Sequence, residues 1–401
     1  MNLFIIFPAI FLIYKSFKLN LYLALLQLFF VLNIYVNTNK NYELDYSVVF
    51  GMYLSILMSI FVTSYFIKDS RFNLNNLHKK SISQCYLVSI ILLPFYLLLS
   101  GHLYSNPWWS TDESRNFYMQ NFSILLRGIK LTPILILMFL FFDSPKKFRI
   151  FKCSLLIGIF SIFFGSKSGI FFLFIGITWL FSIYKVSAKR KLELYGFVLI
   201  LLILFSGYFF WNISNEHGIG IFSALSDRLS SDFVAYERIL DVNYLHKCTE
   251  YNFLNPLILF FQKISGSISS VNGHLSYGHC IASPEDQNYK YEFLIPLFFE
   301  LKGVYGLITG SIILFSSIFL MLILYKSLGF LGNFFRINYI GICSQIYFSF
   351  QMLQVIFYGK LVNVIVSEYF SIIAFLFFAS LTHNFLKLIK LNILKFKTNV
   401  K

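Results

Sequence analysis

Apolar runs recur along almost the whole chain, separated by short polar connectors, and many approach the roughly twenty residues a helix needs to cross a bilayer. They fall at 2–14, 21–36, 46–67, 84–100, 118–142, 152–164, 170–184, 194–212, 304–325, 337–358 and 361–385. The first, sixth and seventh are short for a crossing. The pattern predicts an all-α, polytopic membrane protein of about eleven transmembrane helices, in one membrane-embedded domain over 1–401. No Lys or Arg precedes the first run and no small-residue cleavage site follows it, so no cleavable leader is expected. One stretch departs from the pattern. Residues 213–303 contain no run of spanning length and are expected to form a large loop between the eighth and ninth spans.

Composition agrees with the pattern. Mean hydropathy is +0.70 and 13% of residues are charged, whereas a soluble chain carries about a quarter. The 51 Phe accompany abundant Ile, Asn and Lys, so aromatic stripes are read as packing or lipid-facing surface. The connectors set the orientation. Segments 15–20, 68–83, 143–152, 185–193, 326–336 and 387–401 hold 21 basic and 3 acidic residues, and the rest of the chain holds 12 and 15. The Lys/Arg excess places the first set in the cytoplasm. Segment 213–303, the 101–117 loop and the Gly165–Gly169 turn then share the outer face. The net charge of +15 is on this view a topology signal, and no nucleic-acid partner is expected.

The loop over 213–303 holds ten of the eighteen acidic residues and six basic ones. Within it, Ser226–Leu245 has an apolar stripe at Leu229, Phe233, Tyr236 and Leu240, the spacing of an amphipathic helix. Asp227, Arg228, Asp232, Glu237, Arg238 and Asp241 occupy the other face, either as a solvated surface or as an anion-binding one. Residues 253–264 are apolar but too short to span, and fit an interfacial dip. Cys248 and Cys280 are the two cysteines of this loop and are candidates for a disulfide in an oxidising compartment. Cys85, Cys153 and Cys343 lie in or beside spans and read as packing residues.

Further candidates lie on the same face. Trp108 and Trp109 fit either an interfacial belt or a platform for sugar rings, and Arg115 follows them. Arg127 and Lys130 stand about one turn apart inside the next span, where they either snorkel to the surface or mark a functional site. In Gly165-Ser166-Lys167-Ser168-Gly169 a tight turn carries a cation at the start of a helix, an arrangement suited to an anion. The Walker spacing is missing, so this is not a nucleotide loop. Arg is scarce, eight against 25 Lys, yet four of the eight fall on the outer face. Arg suits planar, bidentate recognition of anions.

These features together resemble the O-antigen and capsule repeat-unit polymerases of bacterial inner membranes, the Wzy-type family. The resemblance covers the whole length in organisation: about eleven spans, one large outer loop in the second half, the GSKSG turn at 165–169, and the FFELKGVYG run at 298–306. Where related polymerases and ligases often carry Gly-Ser-Arg, this chain has Lys167. The resemblance implies transfer of a growing glycan from undecaprenyl diphosphate to the sugar of a lipid-linked repeat unit. A chain-length regulator protein is implied as a further partner, beside the lipid-linked oligosaccharide and the bilayer. Such a reaction calls for cations on the departing diphosphate and an acceptor for the hydroxyl proton. Lys167, Arg228 and Arg238, with Arg115 and Arg127 behind them, are the expected diphosphate contacts. Asp232, His274 and Glu300 are the candidate proton acceptors. No metal or cofactor is expected, because the Lys/Arg set supplies the positive charge. The competing reading is a flippase or transporter for the same lipid-linked sugars, which predicts internal repeats and charges within many spans.

The orientation has a direct test. In a cysteine-accessibility scan, positions in 220–300 should label from outside the cell and those in 68–83 should be protected. The reverse pattern would remove every outer-face assignment above.

Overall fold

The computed structural model describes residues 2–38, 46–75 and 295–399, and isolated positions 176, 178–179, 181–183, 192, 195–196, 254, 258 and 280. Every regular element among the described residues is helical: α1 (Asn2–Leu19), α2 (Leu21–Thr38), α3 (Tyr46–Asn75), α4 (Leu297–Tyr305), α5 (Leu307–Phe334), α6 (Asn338–Tyr358), α7 (Leu361–Val364), a π-helical turn over Ile365–Tyr369, and α8 (Phe370–Asn399). Four of them are long and apolar enough to cross a membrane: α3 over Tyr46–Ser70, α5, α6, and α8 over Phe370–Ile389. By length and composition, the described residues fit an α-helical membrane protein. The expected spans between 84 and 212 lie outside the described residues, a few isolated positions apart, as does most of the 213–303 loop.

Several expected boundaries move. The run expected to span 304–325 is two helices: a short α4 that ends at Gly306 (φ 79°, ψ 174°), and α5, which continues to Phe334. The span expected at 361–385 is interrupted by the π-helical turn. The 15–20 connector is mostly helical, with a break of a single residue at Asn20. There the Asn20 side-chain oxygen accepts from the Leu23 N–H at 3.1 Å, the bond by which an N-cap satisfies an orphan donor in the first turn. A new helix thus starts without a loop, and α1 packs against α2. The Tyr22 hydroxyl lies beside Gln354 and Tyr358, level with the last third of α6.

The chain divides into two compact units, with boundaries inside α3, α5 and α6. The first comprises 1–68, 203–322 and 349–366. Its described core is aromatic: Phe30 meets Phe357 edge-on at 5.4 Å and Phe299 at 6.5 Å, and Phe298 meets Phe50 at 5.9 Å. Edge-to-face pairs at such distances add about 0.5–1.5 kcal/mol each to simple burial. Gln27 donates to the Ser59 hydroxyl at 2.9 Å and joins α2 to α3. Ser55, Ser59 and Thr63, all buried, follow a one-turn spacing that keeps hydroxyls on a single face of α3.

The second unit comprises 69–202, 323–348 and 367–401. Here α5 turns into α6 through a Schellman arrangement: the Ile337 N–H donates to the Gly332 carbonyl at 2.8 Å and the Arg336 N–H to that of Asn333 at 3.0 Å. Arg336 takes the left-handed conformation, φ 59°, that this C-cap requires. Small residues then let the two helices close. A Cβ on Gly332 would stand 2.6 Å from the Gly341 Cα, the close backbone approach that Gly permits between membrane helices. The Gln345 amide donates to the Tyr325 carbonyl at 3.1 Å. Asp69 accepts from the Tyr325 hydroxyl at 3.0 Å and pairs with Lys326.

Burial separates the helices. The apolar window of α6 is 94% buried, against 28% for α5 and for α8. So α6 is enclosed by protein while α5 and α8 leave most of their apolar surface for lipid, which explains exposed Ile308, Phe319, Phe330 and Phe385. Gly332→Leu should force the hairpin apart and destabilise the protein by about 1–3 kcal/mol, read as a lower unfolding temperature in detergent. Gly196→Ala, where an added Cβ meets nothing within 4 Å, should leave it unchanged. Equal tolerance of both would refute the close-approach argument.

Candidate functional site

The best-described polar site is built in the first unit by α4, the α6–α7 corner and the start of α3. Sequence dictates α4 closely. Pro296 precedes its first turn and its carbonyl accepts from the N–H groups of Phe299 and Glu300, at 2.9 and 3.1 Å. Leu297, Phe298, Phe299 and Leu301 are buried, and so is Glu300, at 3% exposure. Taking a carboxylate out of water costs several kcal/mol unless its oxygens are met by donors. One of those donors is the Lys360 N–H, 3.3 Å from Glu300 Oε2. Glu300 also lies in the first turn of α4, where the helix dipole favours negative charge.

The α6–α7 corner is shaped to receive that carboxylate. Gly359 and Lys360 are both left-handed, φ 68° and 62°. A Cβ on Gly359 would stand 2.7 Å from Glu300 Oε2 and collide with the Ile295 carbonyl oxygen, so only glycine fits. Lys360 has no such exemption. A side chain in this region costs about 1–3 kcal/mol, and the Glu300 bond helps to hold it there. On the other flank of α4, Lys302 reaches Ser47 at the start of α3. The structure thus gathers Ser47, Glu300, Lys302 and Lys360, all of which the charge asymmetry assigns to the outer face.

A second polar cluster lies in the other unit, around the π-helical turn. Tyr347 donates to Glu368 Oε2 at 2.8 Å, and the hydroxyls of Tyr369 and Ser327 are 2.6 Å apart. Glu368 and Tyr347 are buried. Extra-residue π turns cluster at functional sites, and an acidic residue within a span marks one by default. Neither Glu368 nor the Gly359–Lys360 pair stands out from the sequence pattern. A glycine followed by a lysine, alone between two apolar runs, is the available signal for the corner. For Glu368 it is a carboxylate at the eighth position of the 361–385 run.

Of the residues expected to bind diphosphate or accept a proton, Glu300 is the one described. Lys167, Arg115, Arg127, Arg228, Arg238, Asp232 and His274 lie outside the described residues, as do Trp108 and Trp109. Cys280 is buried and disulfide-bonded, with its partner outside the described residues, while Cys343 is a buried free thiol. No family model, curated protein or solved structure matches the chain.

The geometry predicts unequal costs at the corner. Gly359→Ala should lower stability by about 1–3 kcal/mol through its positive φ. Glu300→Ala, which strips the Lys360 amide of its acceptor, should cost a similar amount. Both are read from thermal unfolding of the purified protein in detergent. A Gly359→Ala protein that unfolds at the wild-type temperature would show that the corner is not closed as described.

Proposed function

We propose that this protein is a membrane glycosyltransferase that polymerises lipid-linked oligosaccharide repeat units at the outer face of a bacterial inner membrane. The observation that carries the reading is the buried Glu300, tied to the Lys360 amide within the FFELKGVYG run, where helix ends assigned to the outer face meet. A rigid polar corner at membrane level is what a lipid-linked substrate requires, because its diphosphate sits at the boundary between water and hydrocarbon. The disulfide at Cys280 adds support, since such bonds persist in oxidising compartments outside the cytoplasm.

In this reaction a hydroxyl of the acceptor sugar attacks the anomeric carbon of the donor glycan. The bond from that carbon to the diphosphate oxygen breaks, and undecaprenyl diphosphate leaves with the electron pair. Lys167, Arg228 and Arg238, backed by Arg115 and Arg127, stabilise the charge that develops on the leaving group. The hydroxyl proton passes to Asp232 or His274. Glu300, the third sequence candidate for that step, is better suited to positioning the corner, because its carboxylate is buried against a backbone amide.

The test is the length of the glycan. Arg228→Ala or Arg238→Ala should leave the protein inserted at normal levels while the ladder of surface glycan lengths collapses to single repeat units. An unchanged ladder on a gel would refute the diphosphate role.

A further inference from the structure

We propose that the C-terminal part of α8 is a docking surface for anionic phospholipid headgroups, a role independent of the glycosyl-transfer reading. The Ser380 hydroxyl donates to the Phe335 carbonyl at 3.4 Å, and the Phe335 and Phe377 rings meet edge-on at 6.3 Å. Ser380 is thus level with the α5–α6 turn, where two helices of spanning length end. Yet α8 runs on as unbroken helix to Asn399, about 28 Å further along its axis. Its span by composition reaches Ile389, so 390–399 lies past the span even on that wider count.

This extension is exposed and carries two patterns. Leu381, Phe385, Leu388, Ile389 and Leu391 are exposed, Phe385 at 63% and Leu388 at 59%, and Lys387 is exposed among them. By register, Phe385, Ile389, Ile393 and Phe396 fall at i, i+4, i+8 and i+11, one apolar stripe. Lys387, Lys390 and Lys397 fall on a second stripe, roughly a third of the circumference away. Residues 387–401 hold five lysines, and no acidic residue follows Glu368. Arg336, exposed on the α5–α6 turn, adds a cation at the same end. Orientation alone does not explain the pattern, because positive charge keeps a segment in the cytoplasm whether or not apolar residues accompany it. An apolar stripe flanked by lysines is what seats a helix at the headgroup boundary, and a cation cluster adjoining a span draws anionic lipid. Charge also selects lipid over a second copy of the chain, since two such tails would set like charges against each other.

The experiment places the full chain in nanodiscs, either of phosphatidylcholine or of phosphatidylcholine and phosphatidylglycerol in equal parts, and reads amide hydrogen exchange. At low salt, peptides covering 386–399 should exchange about ten-fold or more slowly in the anionic discs. Salt at about 1 M, where the screening length falls to about 3 Å, should remove the difference. Lys387→Gln, Lys390→Gln, Lys395→Gln and Lys397→Gln combined in one variant should exchange equally in both discs. Peptides of the α5–α6 hairpin, protected as in wild type, report that this variant is folded. Equal exchange of the wild-type tail in the two discs would overturn the proposal. Slow exchange in both would then mark contact with another protein or a second copy, and fast exchange in both a helix free in solvent. Protection in anionic discs that survives the four lysine changes would overturn it as well.

Discussion

The first unit depends on the burial of one carboxylate. Glu300 sits among Leu297, Phe298, Phe299 and Leu301 at 3% exposure, where an unmet charge would cost more than any single apolar contact returns. Its environment is therefore constrained from several sides at once. Pro296 opens the helix that presents it, Gly359 clears the space for its oxygen, and Lys360 gives up a comfortable backbone conformation to offer its N–H. The aromatic pairs Phe30–Phe357 and Phe298–Phe50 close the apolar sides. Each of these residues makes sense through the others.

The same constraint recurs along the helices. In a bilayer, apolar side chains gain little by leaving lipid for one another, so packing and interhelical hydrogen bonds must fix which helices associate and in what register. Gln27 with Ser59, Gln345 with the Tyr325 carbonyl, and Tyr347 with Glu368 are such bonds. On α6, Tyr347, Gln351, Gln354 and Tyr358 recur at i, i+4, i+7 and i+11, one polar stripe along an otherwise apolar helix. That stripe explains why α6 is the enclosed helix although it is less apolar than α5.

Membrane class, helical architecture and the run of α3, α5 and α6 were legible from the sequence, because a bilayer imposes a length and a composition on anything that crosses it. The breaks were less so. The FFELKGVYG run looked like the opening of a span, since hydropathy averages over a window and cannot register that Gly306 ends one helix and starts another. Glu368 disappeared inside the 361–385 run for the same reason, one carboxylate among many apolar neighbours. At the α1–α2 corner a single capping asparagine makes the turn within what reads from sequence as a polar connector. Glu300 was anticipated as a candidate for chemistry, and the structure adds that it holds the Lys360 amide. Sequence spacing carries no trace of a contact sixty residues away, between Glu300 and Lys360.

Electrostatics narrows how an anionic substrate would be held. The 213–303 segment has ten acidic and six basic residues, so its overall field repels a diphosphate. Attraction must come from a few cations close to the charge, where a short distance and a low local dielectric outweigh the screened background. Flexible lysines in solvent would not meet that demand, because holding them in one geometry costs side-chain entropy.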